Sequence, residues 1–195
     1  MADSEQIQPK TEFSRGANKT TPDYLKTFVN EQASALSTAL RQADLERITA
    51  LLRNLSTKLP KDMTFKELVA LICGRKNGDL FITAEEGTFD NVPGEQAGNI
   101  FDDLIQRVPM DSTAVLILHT HPSKQSIIGP VPSNTVEFSE NDRNNISKIG
   151  GKLGVFDLEH AYVGLLTANS KSTVVIQGEN QGRAFGWNFN TDMHV

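Results

Sequence analysis

Thr113-Ala114-Val115-Leu116-Ile117-Leu118-His119-Thr120-His121-Pro122 is the stretch on which the reading of this chain turns. Its first six residues are apolar, of strand length and partly β-branched, the pattern of a buried strand. Polar side chains at the carboxyl end of such a strand emerge where the sheet meets solvent, a common place for a site. Side chains two apart on a strand point the same way, so His119 and His121 can aim their imidazoles at one point. Pro122 has no backbone N–H to donate and ends the pairing. A carboxylate as third ligand would complete a three-ligand zinc site with an open position for water.

Asp142 is the best-placed carboxylate. It belongs to Ser139-x-x-Asp142, ahead of a segment with helical spacing (Ile146, Ile149) that the Gly150-Gly151 pair is expected to stop. The same four residues are also a capping box, with Ser139 at the helix N-cap. Capping and ligation therefore stand as alternatives for Asp142.

Taken together, His119-x-His121-Pro122 and Ser139-x-x-Asp142 resemble the JAMM motif (also JAB or MPN-plus) of zinc metallopeptidases. The resemblance covers roughly residues 62–180. It implies that His119, His121 and Asp142 bind Zn2+. It also implies that Ser139 polarises the carbonyl or holds the tetrahedral intermediate, and that an upstream glutamate is the general acid/base. Glu67, Glu85 and Glu86 precede the histidines. Glu67 occupies the family's first-strand position, whereas Glu85 and Glu86 fall in what reads as a solvated loop over residues 84–94. The segment from Pro122 to Ser139 is longer than the usual family spacing and carries Gly129-Pro130 and Pro132-Ser133, an ordered loop by its composition. Its ends are tied to the site, so it is expected to form a wall or lid of a substrate groove; burial of Ile127-Ile128 in the core is the alternative.

The implied activity is zinc-dependent hydrolysis of an amide bond in a protein or peptide, such as an isopeptide-linked ubiquitin-like conjugate. The form of the motif looks most similar to small bacterial JAB-like domains, some of which belong to secreted toxins and conflict systems. A catalytically silent MPN-like scaffold, or a secreted effector domain, is the alternative. A Cys–His nucleophile pair built on Cys73 is disfavoured, because the run around that thiol is apolar. One cysteine also rules out the paired-cysteine zinc site of nucleobase deaminases. His160, at a strand start, and His194, near the end of the chain, read as structural or solvated.

Composition bounds the rest. The chain has 195 residues, 38% of them hydrophobic, and a formal charge of −5, so a folded protein without an extended nucleic-acid-binding face is expected. No apolar run approaches the roughly 20 residues of a membrane span. Met1-Ala2-Asp3-Ser4-Glu5 lacks the features of a secretory signal, which points to the cytoplasm and leaves open export by a machine that takes folded cargo.

Residues 1–20 are polar and aperiodic, a flexible tail. Residues 21–60 form a helical extension. Thr20-Thr21-Pro22-Asp23 supplies a hydroxyl N-cap with proline at the first helical position. Leu25, Phe28, Val29, Leu36 and Leu40 then follow at helical spacing, and Leu45, Ile48, Leu51, Leu52 and Leu55 make a second set, with Asp44 as a possible cap between them. One long helix and a helical hairpin both fit, as do a partner-binding arm and a packing layer. Residues 61–195 hold the metallopeptidase-like domain: a strand over 68–73, an Asn77-Gly78 hairpin turn, a partner strand over 80–83, a helix over 95–108, the histidine strand, the Asp142 helix, strands over 161–166 and 173–176, and an edge strand over 183–189. The expected fold is α/β, a mixed, mostly antiparallel, curved sheet flanked by helices, which the resemblance refines to JAMM/MPN, cytidine-deaminase-like layering.

Overall fold

The computed structural model describes residues 8–14, 21–60, 67–86, 101–121, 138–167 and 173–189. Its centre is a seven-stranded mixed sheet. The strands are β1 (Thr11–Phe13), β2 (Leu68–Arg75), β3 (Leu80–Glu86), β4 (Ser112–His121), β5 (His160–Thr167), β6 (Thr173–Asn180) and β7 (Phe185–Trp187), in the order β1-β3-β2-β4-β5-β6-β7. The β1–β3 and β4–β5 pairs are parallel and the others antiparallel. Asn77-Gly78 turns the β2–β3 hairpin, with Gly78 at φ 90°, a backbone conformation that favours glycine.

The continuous apolar character of β2 and β4 follows from burial on both faces. Alternate residues divide between two cores. Leu68, Ala70 and Ile72 of β2, with Ala114, Leu116 and Leu118 of β4, face one core. Val69, Leu71 and Cys73, with Val115 and Ile117, face the other. This parity puts the odd-numbered His119 and His121 on the second face.

Helices α1 (Asp23–Arg41) and α2 (Leu45–Lys58) cover the first face. They form a helical hairpin rather than one long helix. Ala43 takes a left-handed φ of 52° at the turn, and the Asp44 carboxylate caps α2 by accepting from the Arg47 N–H at 3.0 Å. At the start of α1 the structure differs from expectation: Pro22 itself is the N-cap, and no side chain among the described residues caps the helix. Leu25, Phe28, Leu36, Leu40, Ile48 and Leu52 are fully buried and share one core with the sheet. The Tyr162 hydroxyl on β5 donates to the Leu40 carbonyl at 3.2 Å, tying α1 to the middle of the sheet. The apolar stripe of both helices is thus buried within the chain, so residues 21–60 are a packing layer.

The second face carries residues 101–106, which are helical, and α3 (Glu140–Lys152). Phe101, Leu104, Ile105, Ile146 and Ile149 pack there on strand residues that include Val69, Val115, Val163 and Ile176. Gly150-Gly151 does not stop α3, which runs on to Lys152 and a 3-10 turn at Leu153–Val155. Gly150 serves close packing instead: a Cβ at that position would lie 2.2 Å from the Phe185 carbonyl oxygen of β7.

Two other expectations are corrected. The tail over residues 1–20 contributes β1, whose register places Thr11 beside Leu80 and Phe13 beside Ile82; Phe13 packs on the helical core, which is what holds so short a strand. Glu85 and Glu86 belong to β3 rather than to a solvated loop, because pairing with β2 continues as far as Leu68↔Glu86; Glu85 is buried. The Pro122–Ser139 loop, for which a lid was expected, lies outside the described residues from 122 to 137, as do residues 87–100. No helix among the described residues is long and apolar enough to cross a membrane.

Candidate metal centre

The carboxyl end of β4 meets two other elements. On one side is the start of β2, whose antiparallel register sets Val69 beside His119. The Thr120 side chain, pointing to the opposite face from the histidines, accepts the Leu68 N–H at 2.9 Å. That bond fixes the chain just where Glu67 enters the sheet. Glu67 shares the parity of Val69, so its carboxylate falls on the histidine face. Above that face is the first turn of α3. Ser139 is its N-cap, with its hydroxyl oxygen accepting the Asp142 N–H at 3.1 Å, and the Asp142 carboxylate accepts the Ser139 N–H at 2.8 Å. The capping box is therefore complete.

Asp142 nevertheless faces both imidazoles. Its Oδ1 lies 3.1 Å from His119 Nε2 and its Oδ2 lies 3.3 Å from His121 Nε2. Glu67 Oε1 lies 3.0 Å from His119 Nε2. The two imidazoles meet edge to face, with ring centroids 4.7 Å apart. Capping and ligation, alternatives in the sequence, are compatible in space: the short carboxylate satisfies the helix end and lines the imidazole cluster at once. His119, Glu67 and Asp142 have side chains only 10–13% exposed, whereas His121 is 32% exposed, so solvent reaches the cluster from the His121 side.

The carboxylates and imidazoles of this cluster act on one another's ionisation. Burial opposes ionisation of Asp142, but its contacts with His119, His121 and Ser139 outweigh burial and hold its carboxyl well below the usual carboxylate range. Burial likewise disfavours a charged His119, and the neighbouring Asp142 and Glu67 carboxylates outweigh it, raising the imidazole to about 9.

The residues fit a bound metal ion. Glu67, His119 and His121 each offer a ligand atom, and these atoms all lie within 4.8 Å of one another. His119 Nε2 is buried and close to two carboxylates, yet it is aligned with neither in a hydrogen bond. A nitrogen so placed, among imidazole and carboxylate donors, suits a divalent cation that accepts mixed N and O ligands.

The structure thus brings together all five residues singled out in the sequence: Glu67, His119, His121, Ser139 and Asp142. Cys73 is not among them. It is fully buried beneath the sheet surface, and burial pushes its thiol up to about 12, despite the Ser112 hydroxyl bonded to it. His160 begins β5 beside Ala114, at the far end of β4 from the cluster. His194 lies outside the described residues. Sequence reasoning missed the two threonines flanking the histidines in space. Thr120 aligns the entry of β2, and Thr167 is the Cα partner of His121 across the β4–β5 pair. The signal for Thr167 was its place as the polar residue closing an apolar strand, but strand register is needed to see which residue it adjoins. In comparisons with known proteins, no family model, no curated protein and no solved structure matches this chain.

Proposed function

We propose that the chain is a zinc-dependent peptidase or isopeptidase of JAMM type, with His119, His121 and Asp142 holding the ion and Glu67 moving the proton. The observation that carries the reading is the convergence of both Nε2 atoms with the Asp142 and Glu67 carboxylates at the carboxyl end of a buried strand. It is supported further by the exposure of His121, which leaves one side open to a substrate. A zinc ion there would supply Lewis acidity, polarising the scissile carbonyl and acidifying a water. The protein does the rest. Glu67, with Oε1 3.0 Å from His119 Nε2, takes a proton from the attacking water and delivers it to the leaving amine. Ser139, bonded to Asp142 Oδ2 at 2.7 Å, presents its hydroxyl beside the cluster, where it can turn to donate to the substrate carbonyl. The apolar cores on both sides of the sheet hold these groups on firm elements. The substrate class is a polypeptide amide, including an isopeptide bond to a ubiquitin-like partner.

A second reading, a metal-binding scaffold without turnover, is favoured by one observation. Glu67 belongs to the mutual set of ligand atoms, so it can be drawn into coordination and leave no free base. The Glu67→Gln variant separates the two. Purified protein with about one zinc per chain, in which Glu67→Gln keeps the metal but produces none of the new termini that wild type generates in a cell lysate, supports the enzyme. Loss of metal from Glu67→Gln, with no lysate cleavage by wild type, supports the scaffold.

A further inference from the structure

Among the described residues, His119 Nδ1 and the Thr167 hydroxyl oxygen are buried without a hydrogen-bond partner, as is the His119 Nε2 already assigned to the metal. Leaving such groups unmet costs about 1–3 kcal/mol each, so two of them on adjacent strands call for an explanation. They are related by the sheet. Thr167 is the Cα partner of His121, and His119 is the partner of Leu165, so Thr167 and His119 stand one diagonal step apart on adjacent strands. Their shared parity puts both side chains on the same face. Strand spacing and rise place diagonal neighbours about 8 Å apart at Cα; the imidazole and the hydroxyl are not bonded directly, and one water can bridge a gap of this kind.

Their chemistry is complementary. When Nε2 of an imidazole faces a metal, Nδ1 carries the proton and needs an acceptor; ligand histidines almost always have such an outer partner, which fixes the tautomer and the ring. A threonine hydroxyl can accept. We propose that Thr167 is the positioning residue for His119: a water that accepts from Nδ1–H donates in turn to the Thr167 hydroxyl and so holds Nε2 on the metal. This rests on the metal centre proposed above and adds a residue of β5 to it. It also accounts for a polar residue at the end of a strand that is buried and apolar from Ala161 to Leu166.

The molecule contains its own controls. Thr173 on β6 also has a buried hydroxyl without a partner among the described residues, but it pairs with Leu166, whose side chain faces the helical hairpin, so Thr173 lies on the opposite face. Glu85 on β3 lies in the same cross-strand row as His119 on its other side, through Val69. It is the alternative source of an acceptor.

The test is titration of metal-free full-length protein with Zn2+ against a chromophoric chelator, comparing wild type with Thr167→Val, Thr167→Ser, Thr173→Val and Glu85→Gln. Thr167→Val should bind zinc about tenfold to a hundredfold more weakly, the usual cost of losing an outer partner. Thr167→Ser should restore affinity, and Thr173→Val and Glu85→Gln should match wild type. The metal-free thermal midpoint of Thr167→Val should not fall, since an isosteric methyl replaces an unmet hydroxyl. Equal zinc affinity in Thr167→Val and wild type would overturn the proposal, as would weakening in Glu85→Gln but not in Thr167→Val. Failure of wild type itself to bind zinc would overturn the metal centre and Thr167's role with it.

Discussion

Asp142 lies with one carboxylate oxygen 3.1 Å from His119 Nε2 and the other on the backbone N–H of Ser139. A helix end and a candidate ligand cluster thus share a single side chain. The two jobs differ in what they require. Capping needs an acceptor oxygen, whereas ligation needs negative charge close to the metal.

Substitution should therefore separate the two roles. Asp142→Asn keeps an acceptor for the Ser139 N–H but loses the charge, so zinc binding should fall by more than tenfold with little change in metal-free stability, about 0.5 kcal/mol or less. Ser139→Ala removes the hydroxyl that accepts the Asp142 N–H and should cost about 1 kcal/mol in stability while zinc remains bound. Chemical denaturation and zinc titration of both variants check the pair. Equal metal loss in the two would mean that helix geometry, not the Asp142 charge, holds the site.

Metal removal should be visible as stability. A ligand that binds only the folded state at a hundred times its dissociation constant stabilises by about 2.7 kcal/mol. Chelation should lower the thermal midpoint of wild type and leave a His119→Ala, His121→Ala double variant unchanged. A wild-type midpoint indifferent to chelator and to added zinc would count against the centre.

Gly150→Ala should destabilise the protein although alanine is the better helix former. The propensity gain is about 1 kcal/mol, but the added Cβ would meet the Phe185 carbonyl oxygen at 2.2 Å. Backbone on β7 must move, and overpacking of this kind costs about 1–3 kcal/mol or more. Urea denaturation gives the sign directly; a more stable alanine variant would show that β7 does not hold its place against α3.

Cys73 should be chemically silent in the native protein. It is fully buried on β2, and burial raises its thiol to about 12, so at pH 8 almost no thiolate is available. A thiol-reactive dye should label native protein far more slowly than urea-unfolded protein. Rapid native labelling would mean that β2 opens readily.

Much of this protein was legible in its sequence because the informative patterns are local. The apolar run ending in His119-Thr120-His121-Pro122 is β4 from Ser112 to His121. Asn77-Gly78 is the hairpin turn, since type and conformation are set within a few residues. Asp44 caps α2 for the same reason. Parity along one strand was enough to put His119 and His121 on a common side. What the tertiary structure decided is everything that depends on which strand lies beside which. Residues 11–13 look like tail until β3 supplies a partner edge and the helical core receives Phe13. Glu85 looks solvated until the β2–β3 register carries it into the sheet. Gly150 looks like a helix stop until β7 is found against it. Asp142 could be a cap or a ligand by sequence, because both roles need the same residue type at the same spacing; only the approach of α3 to the end of β4 lets one carboxylate meet both demands. Strand neighbours and helix docking are set by burial summed over the whole chain, and no short stretch carries that sum.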